Sequence, residues 1–125
     1  MKAIRVHAYG GPEVMRYEDI PQPVAKEGEA VVKIEAVGVN FIDVYFRTGG
    51  YKAEVPFTPG QEASGTVASV GPGVKDMKVG DQVAYTGVQG SYAEFAAVPA
   101  QRLVMLPSGF SARTVSFRRA ALSHG

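Results

Sequence analysis

The 125-residue chain contains no cysteine. Disulfides and thiolate metal sites are therefore excluded, and a reducing compartment is compatible with the composition. No apolar run approaches the length of a bilayer-spanning helix. The amino terminus, Met1-Lys2-Ala3-Ile4-Arg5-Val6-His7, alternates charged and apolar residues where a secretory signal would be continuously apolar. These absences predict a soluble, cytoplasmic chain with no membrane partner. Acidic residues are also missing beyond Glu94. Residues 1–94 carry nine Lys or Arg against twelve Asp or Glu, whereas residues 95–125 carry four Arg and no acid, for a net charge of +1. Those four, Arg102, Arg113, Arg118 and Arg119, are scattered and form no recognisable binding module, so nucleic acid is not an expected partner.

Several chemical signatures are missing as well. The nearest approach to a dinucleotide-binding Gly-x-Gly-x-x-Gly is Gly71-Pro72-Gly73-Val74-Lys75-Asp76, with Asp in the third glycine position and no helical pattern after it. The sequence has no phosphate loop, no Gly-x-Ser-x-Gly nucleophile elbow and no His pair at zinc-ligand spacing. Its two histidines are His7, expected to face outward, and His124, so no metal site is expected.

What is present is a succession of short strands punctuated by Gly and Pro. Lys2 to Ala8 places Ile4, Val6 and Ala8 on one face and Arg5 and His7 on the other. Gly10-Gly11-Pro12 turns the chain into a second strand over Val14 to Ile20, stopped by Pro21 and Pro23. Glu29 to Val37 is the clearest strand, with Ala30, Val32, Ile34 and Ala36 sharing a face. A small-residue strand runs from Pro59 to Val70, its glycines admitting close approach of another backbone or a ligand. Val74, Met77, Val79 and Val83 are spaced as core anchors around a turn into Gln82 to Tyr85. Ser91 to Val98 and Gln101 to Leu106 complete the strand set. The pattern predicts a mainly β domain, a partly open antiparallel barrel with one or two short helices and no Rossmann unit.

The stretch Gly38 to Arg47, with Tyr51 after it, is the candidate site. Asn40 stands where a helix wants its cap, Asp43 favours the positive helix end and is placed to pair with Arg47, and Thr48-Gly49-Gly50 ends the helix. Phe41, Ile42 and Phe46 are expected in the core. Tyr45 and Tyr51 carry hydroxyls that need partners if buried.

Five segments in order, MKAIRVHAYGGPEVMRYEDIPQP, VKIEAVGVNFIDVYFRTGGY, FTPGQEASGTVASVGPGV, KVGDQVAY and SYAEFAAVP, resemble the amino-terminal GroES-like domain of zinc-independent quinone oxidoreductases of the medium-chain dehydrogenase/reductase superfamily. The resemblance spans residues 1–109. It implies that Asn40 and Gln61 stand where zinc-dependent relatives carry Cys and His, followed by Glu62, and carboxamides are poor zinc ligands. It further implies an NADPH cleft against a following Rossmann domain, with Asn40, Ile42, Asp43, Tyr45 and Gln61 lining the nicotinamide end. Asn40, Tyr45 and Tyr51 would then be the catalytic donors to a quinone, and Glu62 a bracing residue. Residues 110–125 have no match and read as a divergent basic tail from an altered or interrupted frame. A chain without the Rossmann half is expected to be inactive alone. The alternative is a stand-alone barrel that binds a partner or self-associates as a homodimer.

Overall fold

A computed structural model describes residues 1–51 and 53–106. The expected tail at 110–125 and the boundary at 109 lie outside them. The described residues form seven strands and one helix: β1 Lys2–Val6, β2 Met15–Asp19, β3 Glu29–Gly38, α1 Phe41–Thr48, β4 Glu62–Val70, β5 Gln82–Thr86, β6 Phe95–Pro99 and β7 Val104–Met105. Single 3-10 turns occupy Pro12–Val14 and Ala100–Arg102. The domain is mainly β, and every ladder among the described residues is antiparallel. β1 and β2 form a hairpin; the other strands form an open sheet in the order β6-β3-β4-β5-β7. Among the described residues, no helix is long and apolar enough to cross a membrane.

The core follows from period-2 alternation. Ala30 and Val32 of β3, Ala63 and Val67 of β4, Val83 and Tyr85 of β5, and Ala96 and Val98 of β6 bury one common face, with Ile34, Met77, Val88 and Leu103 packed against it. Burying each Val or larger side chain contributes roughly 1.5–3 kcal/mol before entropy is set against it. Gly65 is the tightest point of this layer: a Cβ there would collide with the Lys33 carbonyl across the ladder. The small residues of β4 thus let β3 lie close, as their sequence suggests.

Four expectations need correction. In β1 the buried residues are Ala3 and Val6, and Ala8 is exposed beyond the strand end. Ala3 bridges to Ala93 and Val6 to Phe57, and these added contacts override simple alternation. Val79 is 62% exposed in the turn before β5, so it anchors nothing. The strand expected from Ser91 begins only at Phe95. The strand expected from Gln101 to Leu106 shrinks to Val104–Met105 because a 3-10 turn takes Ala100–Arg102.

Candidate functional site

Helix α1 starts where β3 ends. Asn40 holds the N-cap position with extended angles (φ −128°, ψ 154°), its backbone N–H donates to Asp43 Oδ2 at 3.1 Å, and its carbonyl accepts the Asp43 N–H at 3.0 Å. Gly49 closes the helix in the left-handed region at φ 89°. The termini are therefore those the sequence suggests.

The helix has two contrasting faces. Asn40, Asp43, Val44 and Arg47, spaced i, i+3, i+4 and i+7, line a cavity of about 670 Å³ whose other walls include Ile4, Tyr17, Ile34 and Tyr92. Phe41, Ile42 and Tyr45 lie on the opposite arc. Phe41 is 74% exposed and Tyr45 52% exposed, and Asp43 is the helix's one buried residue. The expectation that Phe41, Ile42 and Phe46 are core is thus corrected: Phe41 and Ile42 are exposed and Phe46 is half-buried.

Asp43, only 6% exposed, accepts a hydrogen bond from the Tyr92 hydroxyl at 2.7 Å, and its Oδ1 has no partner among the described residues. Burial pushes the Tyr92 phenol well above the ordinary tyrosine range, its bond to the Asp43 carboxylate adds to this, and Arg47 opposes it. The expected Asp43–Arg47 pair is replaced: Arg47 Nε donates to the Gly10 carbonyl at 3.2 Å and ties α1 to the turn after β1.

The structure brings Asn40 to Glu62. Asn40 Nδ2 donates to Glu62 Oε2 at 3.4 Å, across the paired ends of β3 and β4. Gln61 precedes Glu62, but its carboxamide nitrogen donates to Gln89 Oε1 at 2.6 Å and its backbone carbonyl accepts the Gly87 N–H at 2.8 Å. The two carboxamides at 40 and 61 therefore engage different partners, Glu62 and Gln89. Tyr45 and Tyr51 meet edge to face at 5.6 Å and 81°, the Tyr51 N–H bonding the Tyr45 carbonyl at 3.2 Å, and the Phe46 ring lies 5.6 Å from that of Tyr51. Both tyrosines are about half exposed. Asn40 and Asp43 thus share the cavity face, while Ile42 and Tyr45 share the outer one.

Chemically, the outer face offers phenol donors beside an apolar surface, and the cap region offers amide donors steered by buried carboxylates. Among the described residues, no group of three or more His, Cys, Asp or Glu could hold a metal ion. The donor set of amides and phenols fits an organic ligand with carbonyl oxygens better than a cation. Sequence reasoning missed Tyr92 and Gln89. Their partners Asp43 and Gln61 lie 49 and 28 residues away, and no local pattern encodes such pairings.

Residues 26–108 match the model of the alcohol dehydrogenase GroES-like domain. The chain is 40% identical over 125 residues to a quinone oxidoreductase of Mus musculus and 43% identical over 122 residues to one of Pseudomonas aeruginosa, aligning over 97% and 96% of its own length. In both cases it spans 36% of the relative's length. The crystal structure of Escherichia coli quinone oxidoreductase complexed with NADPH superimposes with a TM-score of 0.89 at 36% identity, covering 93% of this chain and 36% of that one.

Proposed function

Because the chain belongs to the alcohol dehydrogenase GroES-like domain family, we propose that it is the substrate and nicotinamide-side domain of a cytoplasmic, zinc-independent, NADPH-dependent quinone oxidoreductase. The observation that carries this reading is the pairing at the β3–α1 junction, where Asn40 Nδ2 donates to Glu62, with the edge-to-face Tyr45–Tyr51 pair on the outer arc of the helix that Asn40 caps. The NADPH complex of the Escherichia coli relative supports the choice of cofactor. Residues 1–109 form the domain in this reading, and residues 110–125 are a divergent tail.

When bound, NADPH supplies a hydride. The residues here would do the rest. Asn40, Ile42, Asp43, Tyr45 and Gln61 are the residues that would hold the nicotinamide end, and the Asp43 carboxylate accepts the Asn40 backbone N–H, which fixes the cap. Hydride arriving at the quinone places negative charge on an oxygen, and an N–H or O–H donor aimed there lowers the barrier. Tyr45 and Tyr51, half in solvent, can deliver a proton and recover it from water. One hydride and one proton together convert the quinone to the hydroquinone: the hydride brings both electrons and leaves an oxyanion, which the single proton neutralises.

The test is a chimera in which residues 1–106 replace the matching segment of the Escherichia coli enzyme. It should oxidise NADPH with a simple quinone, and Tyr51→Phe or Asn40→Ala should lower kcat by about a hundredfold to a thousandfold, the usual cost of losing one donor to a developing oxyanion. A folded chimera without turnover, or one indifferent to both substitutions, contradicts the reading.

The exposed arc of α1 favours a second reading, in which the domain acts as a self-associating module through Phe41, Tyr45 and Tyr51. Light scattering at high concentration would report a homodimer that Phe41→Ser abolishes; a strict monomer rejects it.

A further inference from the structure

Glu62 is 1% exposed at the first position of β4. Carboxylates are seldom buried so completely without charged partners. Its Oε2 accepts from Asn40 Nδ2, and its Oε1 has no hydrogen-bond partner among the described residues. A second, independent feature serves the same arrangement. Gly38 pairs with Glu62 in the β3–β4 ladder, and a Cβ at Gly38 would collide with Glu62 Oε2. Gly38 is not in the left-handed region, so its lack of a side chain is explained by space. β3 is bare where the carboxylate passes over it toward Asn40.

Glu62 Oε2 is the acceptor and Asn40 Nδ2 the donor, so it is the amide nitrogen that faces the carboxyl group. The nitrogen carries two hydrogens, and Glu62 takes one. Resting on the reading of this junction as one wall of a reductase site, we infer that Glu62 is a positioning residue that sets the polarity of Asn40, so that Asn40 meets the quinone as an N–H donor to its carbonyl oxygen. The bond to Glu62 fixes which end of a nearly symmetric side chain is offered. Without it, the carboxamide could rotate and offer its oxygen, which repels a carbonyl. Glu62→Gln keeps the shape and removes this selection, because a Gln can face Asn40 with either a donor or an acceptor.

Two measurements separate this inference from the reading beneath it. The first is the proton–nitrogen NMR spectrum of the 125-residue chain. The two Asn40 Nδ2 protons should be well separated, one of them hydrogen-bonded, and the separation should shrink in Glu62→Gln while the backbone amides of β4 stay in place. If that variant does not fold, Gly38→Ala, which displaces the carboxylate from the β3 side, should produce the same shrinkage. Unchanged Asn40 signals in the variants overturn the inference whatever the chimera does. The second is the chimera carrying Glu62→Gln: kcat should fall about tenfold, the factor one lost hydrogen bond of ordinary strength is worth, with KM for NADPH unchanged. A rise in KM for NADPH at constant kcat would overturn the quinone as the group Asn40 serves. Shrinkage in the spectrum together with an inactive parent chimera would uphold the Glu62–Asn40 clamp and remove the reductase reading instead.

Discussion

Strand β4 and helix α1 are nearly equal in length and opposite in character. β4 carries small residues, Ala63, Ser64, Gly65 and Ala68 among them, yet most of it is buried between β3 and β5. α1 carries Phe41, Ile42, Tyr45 and Phe46, yet its single buried residue is the carboxylate Asp43. Side-chain hydrophobicity alone would rank them the other way. What differs is the degree of cover: β4 has a strand on each side within the described residues, whereas Phe41 and Tyr45 on the outer arc of α1 are more than half exposed. A large apolar side chain stabilises a fold only where something covers it.

The sharpest way to break this contrast is at Gly65. Gly65→Ala forces a methyl group into the Lys33 carbonyl and should cost on the order of 3 kcal/mol or more, since backbone must move to admit it. Val67→Ala, in the same strand, should cost about 2 kcal/mol through lost burial and a partly collapsed cavity. Phe41→Ala, though it removes far more carbon, should change stability by less than about 0.5 kcal/mol in the isolated chain, the usual range for a surface site. Urea unfolding monitored by circular dichroism gives all three values. A Phe41 variant as damaging as the Val67 one would show that the arc is covered after all.

Smaller effects come from titration. Burial raises the phenols of Tyr85 and Tyr92 above their ordinary value of 10.0. A raised folded value means that the contribution is complete below pH 10 and is lost as pH climbs beyond it, because the unfolded tyrosines ionise first. Stability should therefore fall above pH 10, and Tyr92→Phe should flatten that fall. The smallest effect belongs to Lys2 and Asp19, which join β1 to β2. Their hydrogen bond lowers Asp19 below 3.8 and raises Lys2 above 10.5. Asp19's contribution is complete above pH 3.8 and is lost as pH falls through its lowered value. Both groups are exposed, so Asp19→Asn should barely move the acid midpoint, and salt should erase the difference.

How much of this was legible beforehand depended on range. Ala30, Val32 and Ile34 announce their common face by alternation, and Asn40 and Gly49 announce the ends of α1 by residue type, since both signals lie within a few neighbours. The destination of Asp43 was illegible, because its partner Tyr92 comes from the turn before β6. The fate of Phe41 was illegible for another reason: the 3.6-residue period marks an apolar arc but carries no information on whether anything packs there. At the candidate site, the resemblance drew attention to positions 40, 61 and 62. It did not reveal that Asn40 leans on Glu62 while Gln61 turns to Gln89.

The account holds that these residues build one wall of a two-walled site. Steady-state NADPH oxidation with a simple quinone by the 125-residue chain alone addresses this directly. The expected rate is indistinguishable from the buffer control, and turnover at the level of the intact Escherichia coli relative would contradict the account.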